Sequence, residues 1–276
     1  MKDKELIIEK HECYSPGYNT ELVQSYQRRT VVKEAGFFIP HLSSEISLLD
    51  CGCGPGTITV GLARVIAPGH VTGVDIESSQ IEIARNYAKE QGVSNVQFEV
   101  SSIYKLPFKD NSFDAVFVHA LLQHLQNPLK ALEELKRVLK PGGVIGLRDD
   151  DQGGLILSPY SPEMERVIQL LKQFIRHNGG DPCVGRRHRE LLRKAGFTKI
   201  EASATCECDG TQQDTKKRGI LAVKLIEHMS EAAIKFGWAG ADELEQLKNA
   251  AKEWGENQDA FDAIIWCEAV GYKISC

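Results

Sequence analysis

Residues 48–59, LLDCGCGPGTIT, set an apolar run, one aspartate and three alternate glycines directly ahead of a helical pattern. The run Ile46 to Leu49 reads as a buried strand, and TITVGLARVIA, from Thr57 to Ala67, carries apolar residues at helical spacing. Gly52, Gly54 and Gly56 therefore occupy the handover from strand to helix. Without a Cβ that backbone turns with positive φ and approaches a ligand closely. The helix start behind it offers unpaired N–H groups and the positive end of the macrodipole. A ligand with an anionic group and a nucleotide-like body suits such a loop.

The chain downstream keeps alternating. Strands are predicted over 70–76, 96–101, 113–120 and 144–150, with a helix through SSQIEIARNYAKEQ and another from Pro128 to Leu139. Ser78 or Ser79 is the expected cap of the first helix, with Glu82 near N3. Lys140-Pro141-Gly142-Gly143 is the expected stop of the second. Strands alternating with helices imply a parallel sheet covered on both faces. The tail predicts helices over 161–178, 186–194, about 215–236 and 240–254, and strands over 199–208 and 260–274. The last strand, with its apolar face and mid-strand tryptophan, is expected to dock on the main sheet. The predicted fold is α/β, doubly wound, with a mostly parallel seven-stranded sheet. Residues 1–40 form an N-terminal helical cap or lid, and 41–276 one domain with a helical insertion at about 211–256.

Lys plus Arg total 33 and Asp plus Glu 38, so 33 − 38 gives a net charge of −5. That balance offers no electrostatic argument for nucleic acid or an anionic membrane. The basic runs Lys216-Lys217-Arg218 and Arg186-Arg187 read as solvated helix faces. The start, MKDKELIIEKHE, has no apolar core of a signal peptide, and no apolar run approaches the roughly 18 residues of a membrane span. A cytoplasmic chain is expected. Cys51 and Cys53, like Cys206 and Cys208, stand too close together for a zinc site. They are read as buried free thiols, and no metal is expected.

Doubly wound sheets bind ligands beyond the carboxyl ends of their strands. Asp75 ends the second strand, 75 − 56 = 19 residues past the last loop glycine, where a carboxylate accepts both hydroxyls of a ribose. The dinucleotide fingerprint shares that acid, which keeps an NAD-type oxidoreductase open. The loop, however, is G-x-G-x-G with no G-x-x-G half, and Asp50 would oppose phosphates but face an ammonium. An ammonium, a carboxylate, a ribose and an adenine together describe S-adenosylmethionine.

LLDCGCGPGTIT, VTGVDIESSQIEIA, LPFKDNSFDAVFVHALLQHL and LKRVLKPGG resemble the successive motifs of class I S-adenosylmethionine-dependent methyltransferases. The similarity covers roughly residues 45–150 and is nearest the small-molecule branch with the ubiquinone and menaquinone C-methyltransferases. The resemblance implies Gly52 and Gly54 under the methionine portion and Asp50 organising the loop and the amino group. It implies Asp75 on the ribose, Ile76 against the adenine face, Ser102 and Ile103 at the adenine edge, and His119 beside the methionine end through its backbone. This chain has Ser102 where the family usually has aspartate. It reads Leu121-Leu122-Gln123-His124 where the quinone enzymes carry an Arg-Asn signature.

His124 is the candidate general base, beside a reading as a helix residue bonded to a carbonyl. Arg148 is a candidate substrate grip, although the run Arg148 to Asp151 reads first as a solvated strand end. Tyr14, Tyr18, Tyr26, Arg28 and Arg29 lie upstream, where family members fold a segment over the cofactor; Tyr14, Tyr18 and Arg28 are the lid candidates. The expected reaction is in-line methyl transfer from S-adenosylmethionine to a small molecule, without nucleic-acid or membrane partners. A non-catalytic S-adenosylmethionine-sensing module is the remaining alternative.

Overall fold

The computed structural model describes residues 20–274; the lid candidates Tyr14 and Tyr18 lie outside them. Two short helices, α1 (Thr20–Tyr26) and α2 (Val31–Glu34), precede the glycine-loop unit of β1 (Ser47–Cys51) and α3 (Thr57–Val65). Alternation then continues through β2 (His70–Asp75), α4 (Ser78–Glu90), β3 (Val96–Val100), β4 (Phe113–His119), α5 (Pro128–Val138) and β5 (Leu139–Ser158). The chain finishes with α6 (Pro162–His177), α7 (His188–Lys194), β6 (Thr198–Asp209), α8 (Gln212–Lys235), α9 (Ala241–Glu256) and β7 (Phe261–Tyr272).

Among the described residues these strands form one seven-stranded sheet in the order β3-β2-β1-β4-β5-β7-β6. The first five are parallel, and β7 runs antiparallel between β5 and β6. Successive residues of a strand point to opposite faces. Leu48 accordingly joins Phe38, Ile58, Leu62 and Phe117 on one side, and Leu49 joins Leu132, Leu135, Ile145 and Leu192 on the other. Burial on both faces explains why β1 and β4 read as continuous apolar runs. A separate cluster built from α6, α8 and α9 packs Leu170, Phe174, Ile226, Leu247 and Trp254 together. Among the described residues no helix is long and apolar enough to cross a membrane.

Three local expectations need correction. The cap of α4 is Glu77, whose carboxylate accepts the Ser79 N–H at 3.3 Å, and neither Ser78 nor Ser79 serves. Lys140-Pro141-Gly142-Gly143 is no free turn after α5. It bulges from a strand that has already begun, because Phe113 pairs with Leu139 and Ala115 with Val144. Last, β5 does not stop at 150. It continues to Ser158 as an antiparallel partner of β7, through a second irregularity between Asp151 and Ile156.

Candidate active site

The glycine loop, the carboxyl ends of β1, β2 and β4, and the α1–α2 segment enclose a crevice of about 1040 Å³, open mouth included. Residues 50–55, Thr57, Ile58, 74–76, Gln80, 101–103, 119–121, His124 and Leu125 line it, with Tyr26 and Arg29 as the N-terminal wall.

Backbone bonds build the loop. The N–H groups of Gly52 and Cys53 both reach Val74 O, at 2.8 and 3.0 Å, which ties the loop to β2. Asp75 completes the tie: Oδ2 accepts Gly54 N–H at 2.9 Å and Oδ1 accepts Glu77 N–H at 3.0 Å. Each oxygen keeps a further lone pair for a ligand. Two glycines serve different ends. Gly54, at φ +49°, has nothing within 4 Å of where a Cβ would stand, so open space adjoins its backbone. Gly56, at φ +79°, would place a Cβ 2.7 Å from that of Ala84, so its role is to bring α3 close to α4.

Asp50 is buried beneath the loop, where its Oδ2 accepts the Thr59 hydroxyl at 2.6 Å. Burial, with a smaller contribution from Asp75, pushes its carboxyl up to about 7 against the lowering effect of that hydrogen bond. Burial raises Asp75 as well, opposed by the N–H groups it accepts. The Cys51 and Cys53 thiols are raised well above their ordinary value, first by burial and then by Asp50, which keeps them protonated. Cys206 and Cys208 are free but exposed on β6, contrary to the expectation of burial.

Ile76 projects an apolar side chain that is 51% exposed at the crevice edge, and Ile103 is buried next to Ser102 in the same turn. The Ser102 hydroxyl is occupied in its own turn, accepting Tyr104 N–H at 3.3 Å. His119 and His124 are both buried wall residues. Burial first, then the Arg29 charge, lowers His124 to about 3, so it is neutral and weakly basic at neutral pH.

Arg148 does not line the crevice. It is buried in ion pairs with Glu268 and Glu207. The reading of Arg148 to Asp151 as a solvated strand end fails, since all four residues are buried. Asp149 bonds His188 at 2.9 Å, and Asp151 binds Arg186 through two contacts of 2.5 and 2.7 Å. Arg28 is exposed and outside the crevice wall. Sequence reasoning missed Gln80, which is buried in the wall. Its signal was a polar side chain in the buried stripe of Gln80, Ile81, Ala84 and Ala88.

Fold and crevice together define a doubly wound α/β protein with a ligand-sized crevice beside its first strand. Residues 42–203 match the methyltransferase domain family, more than half of the chain. An uncharacterized methyltransferase of Schizosaccharomyces pombe is 32% identical over 226 residues, covering 79% of this chain and 81% of that protein. The probable methyltransferase ltbC of Aspergillus luteorubrus is 29% identical over 284 aligned positions, covering 94% and 97%. The YcgJ protein from Bacillus subtilis shares the fold, with a TM-score of 0.59 at 20% identity over 87% of this chain and 98% of that one. The chain belongs to this family and is a class I methyltransferase with S-adenosylmethionine as its methyl donor. Neither an NAD-type oxidoreductase nor a non-catalytic sensing module is favoured.

Proposed function

We propose that the crevice binds S-adenosylmethionine with Asp75 on the ribose, Ile76 and Ile103 about the adenine, and Gly52, Gly54 and Asp50 around the methionine portion. One observation carries this reading. Two carboxylates that burial pushes toward the protonated state, Asp50 and Asp75, share one wall of the crevice. A cation relieves that strain, whereas a pyrophosphate aggravates it. S-adenosylmethionine supplies a methyl group on a sulfonium, already activated for attack by a nucleophile. The protein's contribution is then alignment of the acceptor and exclusion of water. His124, with its value near 3, is a poor proton acceptor, so the acceptor arrives with its nucleophilic lone pair available.

The acceptor is a small molecule that enters past the α1–α2 segment. Residues 1–40 act as its cap, and the helices α8 and α9 are an insertion in the domain that begins near residue 41. Contact between α8 and α1 supports this arrangement. Six free cysteines among the described residues suit a reducing compartment, and we place the enzyme in the cytoplasm.

Calorimetric titration tests the assignment. S-adenosylhomocysteine should bind and NAD should not. Asp75→Ala should weaken S-adenosylhomocysteine by about 2–4 kcal/mol, through lost ribose bonds and a loosened loop. Asp75→Asn, which keeps one acceptor oxygen, should lose less. Unchanged affinity in Asp75→Ala would remove Asp75 from the ribose.

A further inference from the structure

The tautomer of His119 is set by Arg148. A guanidinium has donors and no acceptor, so the 3.0 Å contact between Arg148 Nη1 and His119 Nε2 makes Nε2 the acceptor. Burial first, then the charges of Arg29 and Arg148, hold His119 well below its ordinary value. The ring is therefore neutral, and its one proton sits on Nδ1. Arg148 is held from three further sides, by Glu207, by Glu268 at 3.3 Å and by the Trp266 ring with its centroid 4.2 Å away. Trp266 also stacks on His119, with centroids 5.1 Å apart.

The Nδ1–H that results is an orphan. It is buried, it meets no partner but its own backbone among the described residues, and its residue lines the crevice. Buried donors are almost always paired, so an unpaired one in a ligand crevice points to an acceptor atom that a ligand brings. Arg29, on the same wall, has a matching need. Its guanidinium lies over the Tyr26 ring, 4.7 Å from the centroid, and makes no ion pair or hydrogen bond among the described residues. The two groups are close enough for the Arg29 charge to act on His119. Glu34, the carboxylate that feels Arg29, is turned to the Thr30 N–H.

We propose that His119 Nδ1–H and Arg29 form an oxyanion-reading corner of the crevice, which takes a carboxylate or similar anionic oxygen. His119 acts there as a fixed donor and not as a base. The inference rests on the crevice being the methyl-donor site, and the oxyanion has two sources: the methionyl carboxylate of the donor, or the acceptor.

Calorimetry with S-adenosylhomocysteine and 5′-methylthioadenosine separates them, because the second nucleoside lacks the amino-acid portion. If the donor's carboxylate is read, Arg29→Gln and His119→Leu should cut the preference for S-adenosylhomocysteine at least tenfold. His119→Asn, which sets an amide N–H near the Nδ1 position, should restore most of it. If that preference is unchanged, benzoate titrated into the protein saturated with S-adenosylhomocysteine probes the acceptor side. Binding to the wild type that both variants lose and His119→Asn recovers assigns the corner to the acceptor. Preference unchanged, together with benzoate binding that is absent or insensitive to the variants, overturns the corner. Arg29→Gln alone decides the matter if His119→Leu does not fold. Nitrogen-15 spectra showing the His119 proton on Nε2 would equally overturn it. A wild-type protein that binds neither nucleoside refutes the methyl-donor reading first, and the corner with it.

Discussion

With the donor bound as proposed, Asp50 is the residue whose chemistry most directly links binding to pH. Its folded-state value lies above its unfolded one, so the folded chain holds an extra proton between pH 3.8 and about 7. Stability contributed by this group is thus present at low pH and lost as pH rises through that window, by up to about 4 kcal/mol. Ligand binding runs the other way, because a cation prefers the ionised carboxylate. Affinity for S-adenosylhomocysteine should climb as pH rises toward about 7 and then level off. His119 and His124, both held low, add no charge change over that range. Asp50→Asn should flatten the profile in calorimetry from pH 5.5 to 8, and an equal slope in the variant would assign the titration elsewhere, Asp75 first. Both aspartates were legible in the sequence because each closes an apolar run, where an acid has no packing reason to stand. Arg148 to Asp151 were not. Their partners Glu207, Glu268, Arg186 and His188 arrive from elements that local periodicity cannot relate to β5.

Among the elements, the five parallel strands and their helices could be read from alternation, since period and turn residues are local signals. β5 could not be read to its full length. Its pairing with β4 and β7 survives two interruptions, at Pro141-Gly142-Gly143 and at Gly153-Gly154, whose residues read as turns in isolation. Neighbouring strands supply the hydrogen bonds that keep the strand direction on either side of each bulge. Close approach between α8 and α9 was equally hidden. A Cβ on Gly219 would stand 2.6 Å from Ala251 O and 3.0 Å from Gly255 Cα, so the two backbones cross where neither carries a side chain. Gly219→Ala should therefore force the helices apart and destabilise the protein by about 1–3 kcal/mol despite better helix propensity. A melt should show this at about 2–4 °C per kcal/mol for a chain of this size. S-adenosylhomocysteine affinity should hold, because no residue of α8 or α9 lines the crevice. A Tm that stays put or rises would mean that the crossing relaxes at no cost.

At the scale of the whole molecule, the α1–α2 segment is both wall and attachment. Its outer end is anchored: Ala35 and Phe38 lie in the core with Leu48 and Phe117, and Lys33 pairs with Glu207 at 2.7 Å. α1 is attached as well, through buried Val23 and contact with α8. Thr57 reaches Tyr26 O at 3.5 Å, the long limit of a hydrogen bond, while Arg28 faces solvent and Arg29 waits at the crevice. A lid that admits an acceptor and releases product would open by releasing these contacts of α1 while the α2 end stays fixed. Trypsin should cut after Arg28 or Arg29 in the free protein. Saturating S-adenosylhomocysteine should slow that cut several-fold if the ligand contacts Tyr26 and Arg29 and holds α1 against the glycine loop. Arg29→Gln removes one cleavage site and the proposed ligand contact together, so the informative bond there is the one after Arg28, and its protection should fall. Equal cleavage after Arg28 with and without ligand would make the segment a static wall, leaving acceptor access to another part of the crevice rim.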